Sequence, residues 1–147
     1  MKTGLFSLRN PLKRLMVAVL VLLGAATAMQ AQSVRNSNNS LMCTVSSDGT
    51  FRNSNNSTIA RISSNGDIRD SNNRYIGKIE SNGMVRGANN AYLGKIESSG
   101  DVRNSNNSYL GKVDSSGAVR NSSGSLLGYA KGVPPAYAAV FFFFNLF

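Results

Sequence analysis

The chain has 147 residues, 41% of them apolar by count, 8% aromatic and 16% charged, and a formal net charge of +9. It contains no His, no Trp and a single Cys, which excludes imidazole-dependent catalysis, His-ligated zinc, an intrachain disulfide and a thiolate cluster. One domain's worth of residues is left, and its composition names no reaction.

The first segment reads as a secretory leader. Lys2, Arg9, Lys13 and Arg14 stand without an acid in residues 1–14, and an uncharged run rich in Leu, Val and Ala follows from Leu15 to Ala28. A basic region, an apolar core and the Ala26-Thr27-Ala28 exit are the layout of a signal peptide, with the mature start between 29 and 32. About 14 apolar residues fall short of the roughly 20 that a membrane helix needs. Residues 1–31 are therefore assigned to a signal peptide, and the protein is expected in the periplasm, on the envelope surface or in the medium. Without the four basic residues of the leader, twelve Lys and Arg face seven Asp and Glu. That balance favours a lipid or other anionic membrane surface, or an acidic glycan, and is too dilute to argue for nucleic acid.

Residues 32–131 form six tandem copies of a 17-residue unit, marked by Arg35, Arg52, Arg69, Arg86, Arg103 and Arg120. An unbroken period without insertions means one supersecondary unit replicated, closed into a ring or barrel or stacked. Asn38-Asn39 and its counterparts up to Asn106-Asn107 mark one turn per copy, and Gly49, Gly66, Gly83, Gly100 and Gly117 mark a second. Both residue types tolerate positive φ, and Asn-Asn suits a two-residue type I′ hairpin. The expected result is an antiparallel meander of about ten to twelve strands of about five to seven residues.

A type I′ turn at Asn106-Asn107 sets Asn104 opposite Tyr109, Arg103 opposite Leu110, Val102 opposite Gly111 and Asp101 opposite Lys112. Around the glycine turn, Val113 falls opposite Val119 and Lys112 opposite Arg120. Tyr109 then shares the inner face with Val102, Gly111 and Val113, and Leu110 lies outside beneath the Arg stem. The Val34 and Val45 columns are apolar in every copy, and they share their face with a small column of Cys43, Ala60, Gly77, Gly94, Gly111 and Gly128. Recurring Gly on an inner face implies that backbone comes close to something there, either through tight barrel curvature or to leave room for a central element.

Residues 132–147 abandon the repeat and carry five of the seven Phe. Phe141, Phe142, Phe143 and Phe144 cannot alternate in and out as a strand, so this segment is buried all round. A short helix plugging the barrel fits the Gly column, and insertion into lipid or a partner is the other use of such a segment. The fold class expected is all-β, a shallow antiparallel barrel of tandem hairpin repeats with a short apolar C-terminal helix filling its lumen.

The repeated Gly-x-Val-Arg-Asn-Ser-Asn-Asn-x-Tyr-Leu-Gly-Lys pattern, a leader and a closing Phe run resemble the bacterial beta-flower proteins, of the kind called the four-fold beta flower domain. The resemblance covers about residues 32–147. It implies a shallow symmetric barrel, like Tubby-type and scramblase-type barrels with a hydrophobic C-terminal helix inside, and a lipid connection rather than a reaction.

Two sets of candidate site residues follow. Arg69, Lys78, Arg86, Lys95, Arg103, Lys112 and Arg120 lie on the outer face with like charges opposed across strands, which destabilises a sheet unless neighbouring acids compensate or an anionic group binds. Gly77, Gly94, Gly111 and Phe141 to Phe144 line the lumen. Glu80, Glu97 and Asp114 recur once per copy and do not converge as a catalytic pair, so neither an enzyme, a metal nor a cofactor is expected. Cys43 is expected as a buried thiol. The function expected is an exported, non-enzymatic protein binding a lipid or other apolar or anionic ligand in the barrel or on its basic face. The alternative is a structural or adhesive envelope protein using the Asn/Ser-rich tips. Protein partners are left open.

Overall fold

The computed structural model describes residues 32–147; the expected signal peptide lies outside them. Twelve strands close into one antiparallel barrel in which each strand pairs with its chain neighbours and β1 pairs with β12. The strands are β1 Gln32–Asn36, β2 Leu41–Val45, β3 Thr50–Arg52, β4 Thr58–Ile62, β5 Asp67–Asp70 and β6 Tyr75–Ile79, then β7 Met84–Gly87, β8 Tyr92–Ile96, β9 Asp101–Asn104, β10 Tyr109–Val113, β11 Ala118–Asn121 and β12 Leu126–Tyr129. At three to five residues they are shorter than the turn spacing suggests. Closure sets Arg35 opposite Tyr129 and Asn36 opposite Gly128.

The asparagine turns are not type I′. Asn107 N–H donates to the Asn104 carbonyl and Asn104 N–H to the Ser108 carbonyl, and of these turn residues only Asn107 has positive φ, at 65°. That is a three-residue loop closing with a left-handed residue, where type I′ needs positive φ at both central positions. Asn104 Oδ1 fixes the loop by accepting from the N–H groups of Asn106 and Ser108, each at 2.9 Å. The choice of turn shifts the register just beyond it. Tyr109 pairs with Arg103, Leu110 becomes the extra residue of a bulge, and Gly111 opposite Val102 and Lys112 opposite Asp101 are as expected. Tyr109 is consequently exposed rather than internal, and Leu110 is half-buried against the core rather than outside it.

The glycine turns have the same hydrogen bonding, Gly117 N–H to the Asp114 carbonyl and Asp114 N–H to the Ala118 carbonyl, and the pairs beyond them are those expected. They differ in their surroundings. The Gly100 carbonyl accepts from Val113 N–H of the next hairpin at 3.0 Å, and a Cβ on Gly100 would collide with the Val113 carbonyl oxygen. At the asparagine end the equivalent Gly124 has no neighbour near the place of a Cβ. Asn therefore serves where the left-handed residue faces open space, and Gly where it is packed against the wall.

Val34, Phe51, Ile68, Val85, Val102 and Val119 are fully buried, with Val45, Ile62, Ile96, Val113 and Ala130 below them. Each buried Val, Ile or Phe side chain among them contributes about 1.5–3 kcal/mol by leaving water. After β12 the chain turns through Gly132 and enters the lumen at the glycine-turn end as helix α1, Pro135–Ala139, continued by a π-helical turn, Val140–Phe144. Pro at the first helical position starts it, and left-handed Asn145 ends it. Ala138, Ala139 and Val140 are completely buried, small enough to pass between the Val and Ile rows.

The two turn types make a paired prediction for urea unfolding midpoints. Asn107→Gly should change stability by no more than about 1 kcal/mol, because the left-handed site is open. Gly100→Asn should cost at least about 1–3 kcal/mol, because an added Cβ has no room whatever its φ preference.

Candidate functional site

The plug meets the glycine column in a definite order. Phe142 meets Gly128, Phe143 meets Gly111, Phe144 meets Gly94 and Leu146 meets Gly77, one plug residue per hairpin in descending order of repeats. A Cβ at Gly111 would stand 2.8 Å from the Phe143 ring and collide with the Arg120 carbonyl oxygen. Successive residues of an α-helix rotate by about 100°; the wider π turn rotates less, closer to the sixth of a circle that separates hairpins. The first two copies carry Cys43 and Ala60 instead of Gly, and there Phe51 brings its own ring from the wall. Phe141 lies nearly parallel to it at 6.4 Å and Phe147 packs edge-on at 4.9 Å. Phe51 and Gly128 belong to this constellation and were not among the expected site residues; the one bulky member of the Val column was the available signal. The plug occupies the volume in which a lumenal ligand would sit. Burial pushes the Cys43 thiol up to about 11, so it remains protonated.

The basic residues lie on the outer wall in opposed pairs, Lys78 with Arg86, Lys95 with Arg103, Lys112 with Arg120 and Arg61 with Arg69. Acids offset part of the repulsion. Lys78 and Lys112 stand 3.6 Å from Asp67 and Asp101, and Arg86 and Arg103 donate through Nε to Glu80 and Glu97 at 2.7 and 2.9 Å. Lys95 has Met84 where its counterparts have Asp, and it makes no ion pair among the described residues.

Every repeat arginine has a second task. Nη1 of Arg35, Arg52, Arg69, Arg86, Arg103 and Arg120 donates to the carbonyl of the left-handed residue in its own asparagine turn, at 2.9 to 3.3 Å. The guanidinium groups are thereby held in a ring beneath the tips. Arg103 also lies over the Tyr109 ring, 5.9 Å from its centroid. Charge is sorted along the barrel as a result. Seven arginines, these six and Arg74, adjoin the asparagine turns; Arg74 is paired with Asp70, Arg86 and Arg103 are paired with Glu80 and Glu97 reaching from the glycine-turn side, and Arg35, Arg52, Arg69 and Arg120 make no ion pair among the described residues. The other five basic residues of the described chain, Arg61, Lys78, Lys95, Lys112 and Lys131, lie toward the glycine turns with six carboxylates. The seam between β1 and β12 carries an outer groove of about 580 Å³ that includes Arg35, Tyr129 and Lys131. Among the described residues no three His, Cys, Asp or Glu side chains gather as a metal-holding group.

Comparison with protein families matches residues 31–146 to the 5-fold beta-flower protein family. The chain belongs to the beta-flower family. The four-fold kind expected from the motif is thus corrected to the five-fold one, and this beta-flower barrel itself closes with six hairpins, because six unbroken copies bring β12 back against β1. No curated protein and no solved structure matches the chain, and the further likeness to Tubby-type and scramblase-type barrels finds no support in these comparisons.

Two predictions test the site. Phe143→Ala should lower stability by about 2–3 kcal/mol, somewhat less than the ~3–5 of a fully buried Phe, because the side chain is only partly buried. Asp70 is held below the usual carboxylate range by the N–H groups of Arg74 and Asn72, Asp114 by the Ser116 hydroxyl and the N–H groups of Ala118 and Ser116, and Asp48 by Thr50. Their folded values being lowered, the stability they add is complete above the ordinary Asp value of about 3.9 and is lost as pH falls through the lowered values. Asp70→Asn keeps the turn acceptor that Asn36, Asn53, Asn104 and Asn121 use, so melting temperatures from neutral to strongly acid pH should fall less steeply in this variant than in the parent.

Proposed function

We propose that this beta-flower protein is an exported, non-enzymatic module that holds itself against an anionic, phosphate-bearing surface by the arginine ring at the asparagine-turn end of its barrel. The observation that carries the reading is the ring of arginines held at the tips, of which Arg35, Arg52, Arg69 and Arg120 have no acid partner among the described residues, while Arg74, Arg86 and Arg103 are paired with Asp70, Glu80 and Glu97. Hydrogen bonds from Nη1 to the tips position the guanidinium groups in advance and leave most of their five donors for phosphate oxygens. Basic residues near an anionic membrane contribute about 1 kcal/mol each, weakening as salt rises.

The filled lumen favours this outer surface over the barrel interior as the place for a ligand. The alternative, an adhesive or structural role through the Asn/Ser tips, has no strand edge to assemble on, since every strand pairs on both sides. Spanning a membrane as a β-barrel is disfavoured by strands of three to five residues, where about 9–11 are needed.

Sedimentation with vesicles tests the proposal. The protein should bind phosphatidylglycerol vesicles and not phosphatidylcholine ones, with affinity falling as salt is raised. Neutralising Arg52, Arg69 and Arg120 to Gln, none of which is paired to an acid among the described residues, should weaken binding at least about tenfold. Neutralising the acid-paired Lys78 and Lys112 should weaken it less than about threefold. Equal binding to both vesicle types, or none to either, would refute the proposal.

A further inference from the structure

Resting on that reading, we infer that the asparagine-turn end docks end-on into a lipid surface, with an apolar collar and the Phe floor of the plug entering the boundary between headgroups and acyl chains. Electrostatic attraction alone requires no such contact, so this second feature of the same end has a separate physical origin.

The collar comes from the bulge. Each even-numbered strand leaves its asparagine turn at one equivalent position, occupied by Leu41, Thr58, Tyr75, Tyr92, Tyr109 and Leu126. The register shift that takes Tyr109 out of the core places this position on the outside. Leu41, Met42, Tyr92 and Tyr109 are 36 to 40% exposed, and among the described residues only Tyr129, toward the other end, is a further large apolar side chain as exposed.

The floor comes from the plug. Ala138, Ala139 and Val140 are buried deep in the lumen, and as the chain advances toward the asparagine end Phe141 to Phe144, Leu146 and Phe147 are only partly buried against the core. The same closing hydrogen bond recurs at every asparagine turn, from the N–H groups of Asn36, Asn53, Asp70, Gly87, Asn104 and Asn121 to the carbonyls four residues on, so the tips are of equal length around a rim suited to a flat surface.

Three occupants could cover an apolar floor ringed by arginine. A second copy would bring together two rims that each carry four arginines without an acid partner among the described residues, and like charges oppose that contact. A soluble polyanion would satisfy the arginines and leave the Phe floor and Tyr collar in water. A lipid surface satisfies both: phosphate meets the guanidinium groups, Tyr takes the headgroup level and the apolar side chains reach the acyl boundary.

The chain has no Trp, so a single introduced Trp reports its own position. Leu41→Trp and Tyr109→Trp mark the collar, and Ser115→Trp marks a glycine turn at the opposite end. Each variant is mixed with phosphatidylglycerol vesicles whose acyl chains are brominated, after circular dichroism has established the parent fold. Emission from Trp at 41 and 109 should shift to the blue and be quenched by about half or more, while Trp at 115 stays unchanged. Binding to these vesicles without a shift or quench at the collar, or with equal quenching at all three positions, would overturn the end-on pose and leave the electrostatic reading intact. Binding a soluble polyphosphate as tightly and with the same salt dependence as vesicles would replace the lipid by a polyanion and also overturn it. No vesicle binding at all would remove both proposals together.

Discussion

The fit between the Phe-bearing plug and the glycine column is the contact on which the rest of the barrel depends. Twelve strands of three to five residues enclose a lumen that their own inward side chains fill only at the Val and Ile rows. Above these rows the wall carries hydrogen atoms where other barrels carry side chains, and the aromatic rings of the plug complete the packing to the density that protein interiors require. Where the wall has Cys43 and Ala60, Phe51 supplies a ring from the wall instead. Wall and plug are two halves of one core, and neither is a core alone.

From that arrangement the two ends acquire different characters. The end through which the plug enters has its turns pressed against neighbouring hairpins, which restricts the left-handed residue to glycine. The other end keeps its tips free, so Asn suffices there, and the arginines reach up to hold the tip carbonyls. Free tips, fixed guanidinium groups and a partly buried aromatic floor thus occur together for a structural reason. Their coincidence at this end is what the proposed contact with an anionic surface rests on.

The inner columns, the glycine-turn register and the plug's place in the lumen were legible in the residues, since each depends on local alternation or on a run that no half-buried strand could accommodate, although the Phe run is only partly buried rather than buried all round. The opposed pairs Lys78–Arg86, Lys95–Arg103 and Lys112–Arg120 followed from the same alternation. The outward Tyr collar was not legible. It turns on whether Asn104 Oδ1 captures two N–H groups and tightens the loop into a bulge, a choice between nearly equivalent turns that composition does not resolve. The arginine bonds to the tips were hidden likewise, because they depend on where the bulge leaves the turn carbonyl.

By itself, then, the sequence determined the 17-residue unit, its two strands, its inner face and the need to bury the closing Phe run, all of which arise from interactions within one hairpin or from the side-chain period of two. Only the tertiary structure decided that six hairpins close on themselves, that successive plug residues meet successive glycines, and that positive charge and exposed aromatic surface gather at one end. Those features depend on the curvature of the whole ring and on contacts between segments as distant as Gly77 and Leu146, which no local pattern encodes.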